Sequence, residues 1–196
     1  APAASARRRR RALGLLWVDA HGDMNTPSTT ISGNVHGMPL AALLGPEPVE
    51  LAAIGDTTPT IQPDRVALVG VRSLDQRERD LARNAGVHVF TMSDIDRTGL
   101  ARVTRRALAL ILRGNADLHV SFDLDVCDPA IAPGVGTPVR GGLNYREAHM
   151  LMELVAESGR LRALDLVEVN PILDAQNVTA ELAVELALSA FGQQIP

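Results

Sequence analysis

The sequence predicts an α/β fold built around a mostly parallel sheet. Short apolar runs rich in β-branched residues alternate with longer segments of helical periodicity along the 196 residues, a pattern typical of successive strand–helix units. The apolar runs have hydrophobic residues on both faces, which indicates strands that are covered by helices on both sides. Because no repeat or linker divides the chain, we predict a single domain over residues 1–196.

Five strands and five helices are predicted in chain order. The strands are the apolar runs at residues 13–18, 65–70, 87–90, 118–122 and 164–169. The helices are the longer periodic segments at residues 36–44, 75–85, 100–113, 145–158 and 179–191. Three of them are followed by Gly114, Gly159 and Gly192, at positions where helices commonly end. The proline-rich segment 45–63 is predicted to be a connection of mixed structure, with a short strand near residues 51–54.

Composition excludes several classes of chemistry. All 19 residues of the Lys+Arg count are arginine, so a Schiff-base lysine, a pyridoxal anchor and a phosphate-loop lysine are excluded. A single cysteine, Cys127, excludes an internal disulfide and a multi-cysteine zinc site, and it suits a reducing compartment. With no apolar run of membrane-spanning length and no export signal, we predict a cytoplasmic protein that does not bind membranes.

The chain carries a formal charge of −4, which argues against general nucleic-acid binding. The five arginines at positions 7–11 are the exception to this balance, and we interpret them as a solvated helix end or arm.

Candidate metal ligands follow the first predicted strand. Residues 19–23 read Asp-Ala-His-Gly-Asp, and alternate residues of an extended chain share a face, so Asp19, His21 and Asp23 can converge on one point. The carboxyl ends of strands are where open α/β sheets bind their ligands. This placement favours a functional site at the end of the strand.

A second acidic group follows the fourth predicted strand, where Asp123 and Asp125 share a face by the same reasoning. The two groups together supply carboxylates and one imidazole, which favours ions such as Mn²⁺ or Mg²⁺ over zinc. They are numerous enough to bridge two ions. A single aspartate more often caps a helix or turn, but two alternating groups after two buried strands favour a metal centre. We interpret the neighbouring Cys127 as a packing residue.

The two motifs resemble the metal signatures of the ureohydrolase family, which includes arginases and agmatinases. Their order and separation are also similar to the family, so the resemblance covers nearly the whole chain and is greatest to bacterial arginases. It implies a three-layer α/β/α arginase-like fold, a binuclear Mn²⁺ centre and assembly into trimers or hexamers. By this resemblance Asp19 and Asp123 bridge the ions, Asp23 completes the first, and His21 with Asp125 completes the second.

Further segments resemble arginases in the residues that hold the amino-acid part of the substrate. Asn25 and Ser32 correspond to groups that bind the α-carboxylate, which agmatine lacks. Asp75 corresponds to a direct contact of the α-amino group, and Glu78 to a water-mediated one. Asp75 followed by Glu78 also fits the start of a helix as a capping box, and the two roles are compatible.

Three residues are similar to those that act on the guanidinium. Glu168, in the segment Glu-Val-Asn-Pro, corresponds to the carboxylate that pairs with the guanidinium, which it can accept through two parallel hydrogen bonds. Without the resemblance, Glu168 is equally well explained as a surface charge at a strand end. His36 matches a proton-shuttling histidine, although an isolated histidine more often packs or caps. Thr137 lies in a glycine-rich loop that borders the substrate.

The reaction implied by the resemblance is hydrolysis of the guanidinium of L-arginine to L-ornithine and urea, with a metal-activated water as nucleophile. Asp23 relays a proton to the departing amine, and His36 exchanges protons with solvent.

One element of the family pattern is absent from the sequence. The family carries a Gly-Gly-Asp-His motif upstream of the first acidic group, and its histidine completes the shell of the first metal; no histidine precedes Asp19 here. We interpret the chain as a ureohydrolase truncated at its N-terminus, lacking the N-terminal strands. We expect the strand that begins near Leu13 to expose an unpaired edge or an apolar face. If the upstream region is absent from the molecule, we also expect weak occupancy of the first metal and low turnover.

Three alternatives to an arginase remain open from the sequence. The first is another ureohydrolase, acting on agmatine, guanidinobutyrate or formiminoglutamate. The second is a catalytically impaired fragment or structural subunit. The third is nucleic-acid binding through the arginines at positions 7–11, which the overall charge disfavours.

Overall fold

The computed structural model describes residues 2–45, 47–54 and 59–195. These residues form a five-stranded sheet with helices on both faces. All strand pairs are parallel, and the strand order is β3-β2-β1-β4-β5. The strands are β1 (Ala12–Val18), β2 (Val66–Val71), β3 (His88–Thr91), β4 (Ala116–Asp123) and β5 (Leu161–Val167). The predicted three-layer α/β/α fold with a parallel sheet is therefore confirmed.

Eight α-helices connect and cover the strands among the described residues. They are α1 (Pro2–Arg8), α2 (Pro39–Leu44), α3 (Val49–Ala52), α4 (Gln76–Ala85), α5 (Met92–Thr98), α6 (Leu100–Ile111), α7 (Tyr145–Glu157) and α8 (Val178–Ala190). Two short 3-10 turns lie beside the site described below, Val35–Gly37 before α2 and Leu124–Val126 after β4. All five predicted strands and all five predicted helices are present, with boundaries shifted by up to three residues.

Two hydrophobic cores lie on opposite faces of the sheet. On one face, alternate residues of β1 and β4 such as Val18 and Phe122 pack against α5, α6, α7 and α8. On the other face, Leu15 and Trp17 of β1 pack with Leu40 of α2 and with α4. The centre of β1 is thus covered on both faces, whereas β4 is covered on one face and lines the cavity described below with the other, through residues such as His119 and Ser121.

The expectation that the strand beginning near Leu13 has an unpaired edge is wrong. Strand β1 is central and pairs with β2 on one side and β4 on the other. The outer strands of the described sheet are β3 and β5. Along β5 the burial alternates, with Arg162, Asp165 and Val167 exposed, so this strand is not apolar on both faces as predicted.

Two further expectations need correction. Residues 51–54 do not form a strand, because Val49–Ala52 is a short helix; residues 46 and 55–58 of the same connection lie outside the described part. The arginines at positions 7–11 are not all solvated, since Arg9 and Arg11 contact the fully buried Asp117 carboxylate at 2.8 and 2.6 Å. In addition, helices α1, α3 and α5 were not predicted.

The helices of the described ranges are all too short or too polar to cross a bilayer.

We predict that the stability of the fold depends on the central strand β4. Leu118→Ala removes a completely buried side chain from β4 and should lower the free energy of unfolding by about 2–5 kcal/mol, because it leaves a cavity in a packed core. Leu188→Ala in α8 is the matched control, since Leu188 is 45% exposed and its loss should cost about 0.5 kcal/mol or less. Urea unfolding measures both; equal losses would contradict this account of the core.

Candidate metal centre

The two acidic motifs meet because they leave neighbouring strands at the same edge of the sheet. Asp19 follows β1 directly, and Asp123 is the last residue of β4. Val18 and Phe122 are register partners in the parallel β1–β4 pair, so the chain reaches both motifs at the same height. The motifs are tied further by a hydrogen bond from the amide of Ala20 to Asp125 Oδ1 at 3.2 Å.

Three donor groups form the centre of the site. Single ligand atoms of Asp19, His21 and Asp125 all lie within 4.8 Å of one another. His21 Nδ1 is 2.9 Å from Asp125 Oδ2 and 3.4 Å from Asp19 Oδ1. Both carboxylates are almost completely buried, at 2% exposure each. This arrangement of two carboxylates around one imidazole is suited to a divalent cation.

Asp23 and Asp123 surround this centre and line the same cavity. Both are buried, and the backbone of Asp23 adopts a left-handed conformation with φ of 52°. Such a conformation is uncommon outside glycine and is often retained at functional sites. Asp123 Oδ1 accepts a 2.8 Å hydrogen bond from the amide of Asp125, which fixes the start of the 3-10 turn after β4.

The crowding of buried carboxylates perturbs their ionisation. Burial and the nearby Asp19 charge raise the pKa of Asp123 to about 10 and that of Asp23 to about 9. Hydrogen bonds to Asp125 and Asp19 raise the pKa of His21 to about 10. Burial is the largest single influence on Asp125 and opposes its charge, but the hydrogen bond and charge of His21, together with hydrogen bonds from the Ala20 amide and Asp123, outweigh it and hold the pKa of Asp125 below its usual value. In the absence of a cation, protons therefore supply the positive charge that this site requires.

The donor set fits the manganese centre implied by the resemblance. Four buried carboxylates and one imidazole are donors that Mn²⁺ accepts, and the raised pKa values of Asp23 and Asp123 indicate a site that favours added positive charge. Cys127 is not a suitable ligand, because burial raises the pKa of its thiol to about 12 and its side chain belongs to the hydrophobic core.

The cavity beside the metal residues has a volume of about 790 Å³. Eleven of the twelve site residues predicted from the sequence line it, and they are Asp19, His21, Asp23, Asn25, Ser32, His36, Glu78, Asp123, Asp125, Thr137 and Glu168. The twelfth, Asp75, does not line the cavity. It contacts the lining residue Asn25, whose Nδ2 donates to Asp75 Oδ2 at 3.2 Å. The structure thus brings the predicted residues together around one space.

Glu168 forms one wall of this cavity. It directly follows β5, and its φ of 71° turns the chain sharply after the strand. Its Oε2 accepts a 2.9 Å hydrogen bond from the amide of Gly136, and its Oε1 lies 3.8 Å from Nδ1 of the half-exposed His36. A Cβ at Gly136 would lie only 3.1 Å from Glu168 Oε2, so a glycine lets the backbone come close to the carboxylate.

The candidate contacts of the amino-acid part of the substrate are linked to one another by hydrogen bonds around the start of α4. Asp75 caps α4 by accepting a 2.9 Å hydrogen bond from the amide of Glu78, as the helix-start interpretation predicts. Glu78 accepts a hydrogen bond from the amide of Met24 at 3.3 Å and is buried, and burial raises its pKa. Ser32 is exposed at the cavity margin, where its hydroxyl accepts from the amide of Asn34. Thr137 Oγ1 donates to Asp125 Oδ2 at 3.1 Å and links the glycine-rich loop to the metal residues.

The sequence did not reveal several residues of this site. Trp17 packs in one of the hydrophobic cores and also donates from Nε1 to Asp19 Oδ2 at 3.0 Å. His119 and Asp165 line the cavity as a pair, with His119 Nε2 2.7 Å from Asp165 Oδ2. The spacing carried a signal, because Trp17 and Asp19 share a face of the chain, as do His119 and Asp123.

The fold and site define an α/β protein with a carboxylate-rich cation centre at the carboxyl ends of its strands. Residues 1–192 match the model of the Arginase family. An arginase of Bacillus caldovelox is 50% identical over 183 residues, covering 93% of this chain and 61% of the relative. An arginase of Brevibacillus brevis is 49% identical with the same coverage. The chain belongs to the arginase family, and it spans about 61% of the length of these curated relatives.

Solved structures agree with this assignment. The native arginase of Bacillus caldovelox at pH 5.6 superposes with a TM-score of 0.91 at 49% identity, covering 94% of this chain and 62% of that chain. The Entamoeba histolytica arginase in complex with L-ornithine gives a TM-score of 0.89 at 32% identity, covering 98% and 65%. The similarity therefore extends over nearly all of the present fold.

We predict that Mn²⁺ binding becomes tighter as the pH rises from about 6 to 9. The pKa values of His21, Asp23 and Asp123 are raised to about 10, 9 and 10, so protons occupy these ligands at neutral pH and must leave when a cation binds. Titration calorimetry in buffers of different ionisation enthalpy should detect net proton release. An affinity that does not change across this pH range would contradict the assignment of these groups.

Proposed function

We propose that this chain carries the active site of a binuclear-manganese hydrolase that cleaves the guanidinium of L-arginine to L-ornithine and urea. The observation that supports this most directly is the convergence of five candidate metal ligands and Glu168 on one cavity. The ligands proposed are Asp19, His21, Asp23, Asp123 and Asp125, with the roles that the family resemblance implies. The curated relatives at 50% and 49% identity are arginases, and one related structure contains L-ornithine.

The metal residues would hold the two ions at the ends of β1 and β4. When bound, such ions lower the pKa of a water molecule and supply a nucleophile at neutral pH. Trp17 orients the carboxylate of Asp19 through its 3.0 Å hydrogen bond, and Thr137 orients that of Asp125. These bonds leave the carboxylates with fewer rotameric choices and so reduce the ordering that cation binding requires.

Glu168 orients the substrate. Its carboxylate can accept two parallel hydrogen bonds from the planar guanidinium, while the amide of Gly136 holds Oε2 in place. Asn25 and Ser32 lie on another part of the cavity lining, where their polar groups can bind an α-carboxylate. Glu78 and Asp75 contribute negative charge on the same side, which suits an α-ammonium group.

Proton transfer is assigned to two residues. Asp23, which is buried and lines the cavity, can take up a proton during the reaction and pass it to the leaving amine. His36 is half-exposed beside Glu168 and connects the cavity with solvent. In this proposal Asp23 transfers the proton inside the cavity, and His36 exchanges protons with solvent at the exposed side of the cavity.

A different ureohydrolase substrate is the second candidate. Agmatine has the same guanidinium but no α-carboxylate, so the binding contribution of Asn25 and Ser32 distinguishes the two substrates. The hydrogen bond from Asn25 Nδ2 to Asp75 Oδ2 at 3.2 Å favours arginine. It holds the candidate contact of the α-carboxylate next to the candidate contact of the α-ammonium group. Assembly with further copies and a cytoplasmic location, suited to the free Cys127, belong to the same proposal.

We predict that the function depends on the acidic residues of the cavity. Asp123→Asn should abolish tight Mn²⁺ binding and urea release, because it removes a bridging carboxylate. Glu168→Gln should retain Mn²⁺ binding but lower kcat/KM for arginine about 10–100-fold, because a charge-assisted pair with the guanidinium is lost. Asp96→Asn in α5, an exposed aspartate, is the matched control. Urea release that survives in Asp123→Asn would refute the proposed role.

We further predict that urea is released faster from L-arginine than from agmatine at equal concentration. Asn25→Ala should reduce this preference by raising KM for arginine, with little change for agmatine, since only arginine carries the α-carboxylate. A chain that prefers agmatine, or an Asn25→Ala variant that affects both substrates equally, would instead support the second candidate.

A further inference from the structure

Arg72 lies directly after β2, and its guanidinium is enclosed by backbone carbonyls from three segments. Nη2 donates to the carbonyls of Val139 (2.6 Å), Asp125 (2.8 Å) and Cys127 (3.3 Å), Nη1 to those of Val126 (3.1 Å) and Gly70 (3.4 Å), and Nε to that of Arg140 (3.2 Å). All three nitrogens are thus used, and every one of these acceptors is a main-chain oxygen. The Arg72 side chain therefore fixes the course of the backbone in these three segments and is not paired with a carboxylate in these contacts.

The carbonyls at 125–127 explain why a cation is needed at this position. They lie at and just after the end of the 3-10 turn Leu124–Val126, where carbonyls have no hydrogen-bond partner within the turn itself. Guanidinium offers five donors in one plane, whereas the ammonium of lysine offers three from a single atom. A lysine at position 72 could not reach the three segments at once.

The backbone of the same residue connects to the other acidic motif. The amides of Arg72 and Ser73 donate to the carbonyl of Ala20 at 3.0 and 2.9 Å, between Asp19 and His21. The amide of Ala20 in turn donates to Asp125 Oδ1. Residue 72 thus joins the segment after β1 through its main chain and the segment after β4 through its side chain.

Close packing leaves the guanidinium little freedom. A Cβ added to Gly142 would lie 2.6 Å from Arg72 Nη2 and 2.4 Å from the carbonyl oxygen of Val126. Gly142 therefore allows the loop at 139–142 to approach the guanidinium closely. That loop continues from Thr137, whose hydroxyl contacts Asp125 Oδ2 at 3.1 Å.

We propose that Arg72 is a positioning residue of the metal centre, which sets the distance between the two acidic motifs and holds the Thr137 loop against Asp125. It does not touch substrate or cation, and it acts through the carbonyl groups that it binds. The metal-centre part of this inference rests on the proposed function, whereas the ordering of the loops by Arg72 does not.

The test compares Arg72→Lys with Arg65→Lys in the full chain. Arg65 is a matched control, because its Nη1 also donates to two carbonyls, those of Ile111 and Arg113, but at the start of β2 and so at the opposite end of the sheet. Mn²⁺ affinity is measured by the electron paramagnetic resonance signal of the free ion. We expect Arg72→Lys to weaken binding about 10–100-fold, and Arg65→Lys to leave it unchanged at a similar melting temperature.

Amide hydrogen exchange without metal provides an independent measurement. The amides of Gly141 and Leu143 donate to Asp128 Oδ2 and to the carbonyl of Val126, so we expect both to exchange faster in Arg72→Lys than in Arg65→Lys. If the unaltered chain binds no Mn²⁺, the proposed function fails, and exchange alone decides the role of Arg72. Wild-type Mn²⁺ affinity in Arg72→Lys, or equal exchange in the two variants, would overturn the inference.

A second pair of variants covers the case in which Arg72→Lys does not fold. Gly142→Ala keeps the charge of Arg72 but forces apart the packing between the loop at 139–142, the Arg72 guanidinium and the backbone of Val126 and Cys127, and we expect it to weaken Mn²⁺ binding about tenfold. Gly45→Ala is the control, because a Cβ there meets only the carbonyl of Ala41 at an ordinary 3.7 Å. Equal Mn²⁺ affinities in these two variants would also overturn the role of Arg72.

Discussion

The structure of the site depends on one electrostatic constraint, which is that four buried carboxylates share a small volume. Asp19, Asp23, Asp123 and Asp125 are each at most 8% exposed, and like charges at this separation cannot all be ionised without a cation or protons. The parallel sheet imposes the crowding, because neighbouring strands β1 and β4 end at the same height. The rest of the site can be understood as the means of holding these groups in place.

The candidate ligands and Glu168 are held in place by neighbouring residues to which no role in metal binding or catalysis is assigned. Trp17 fixes one carboxylate of the first motif, and Thr137 fixes one of the second. Gly136 and Gly142 let the backbone approach Glu168 and the Val126 carbonyl more closely than a Cβ would allow. The left-handed conformations of Asp23 and Glu168 are less favourable than ordinary backbone, and the packed sheet stabilises them. The geometry of the candidate site and the stability of the fold are therefore coupled at these residues.

Local patterns in the sequence were sufficient for most elements of the fold. Continuous apolar runs predicted the central strands, and the alternating polar residues after them predicted the candidate metal ligands that meet in the structure. Residues 51–54 were predicted incorrectly because a short apolar run fits a strand and a helical turn equally well. The start of α5 had a readable signal in Thr91 and Asp94, which form a capping box, but its short length masked the helical period.

Long-range contacts explain what the sequence could not show. The carbonyls of Asp125 and Arg140 that bind Arg72 are 53 and 68 positions away in the chain, and a backbone acceptor leaves no trace in residue type. The ion pairs of Arg9 and Arg11 with the buried Asp117 could not be predicted from the sequence either, because a basic run is usually solvated. Such contacts depend on the order of the strands in the sheet, which the amino-acid sequence alone does not reveal.

The two carboxylate oxygens of Glu168 are held unequally. Oε2 accepts a hydrogen bond from the amide of Gly136 at 2.9 Å, whereas Oε1 lies 3.8 Å from Nδ1 of the half-exposed His36. A ligand that binds Oε2 must share that oxygen with a backbone amide, while a ligand that binds Oε1 meets an exposed side chain that can change rotamer without moving the backbone. The same carboxylate therefore offers a ligand one oxygen whose position is set by the main chain and one whose surroundings can adjust.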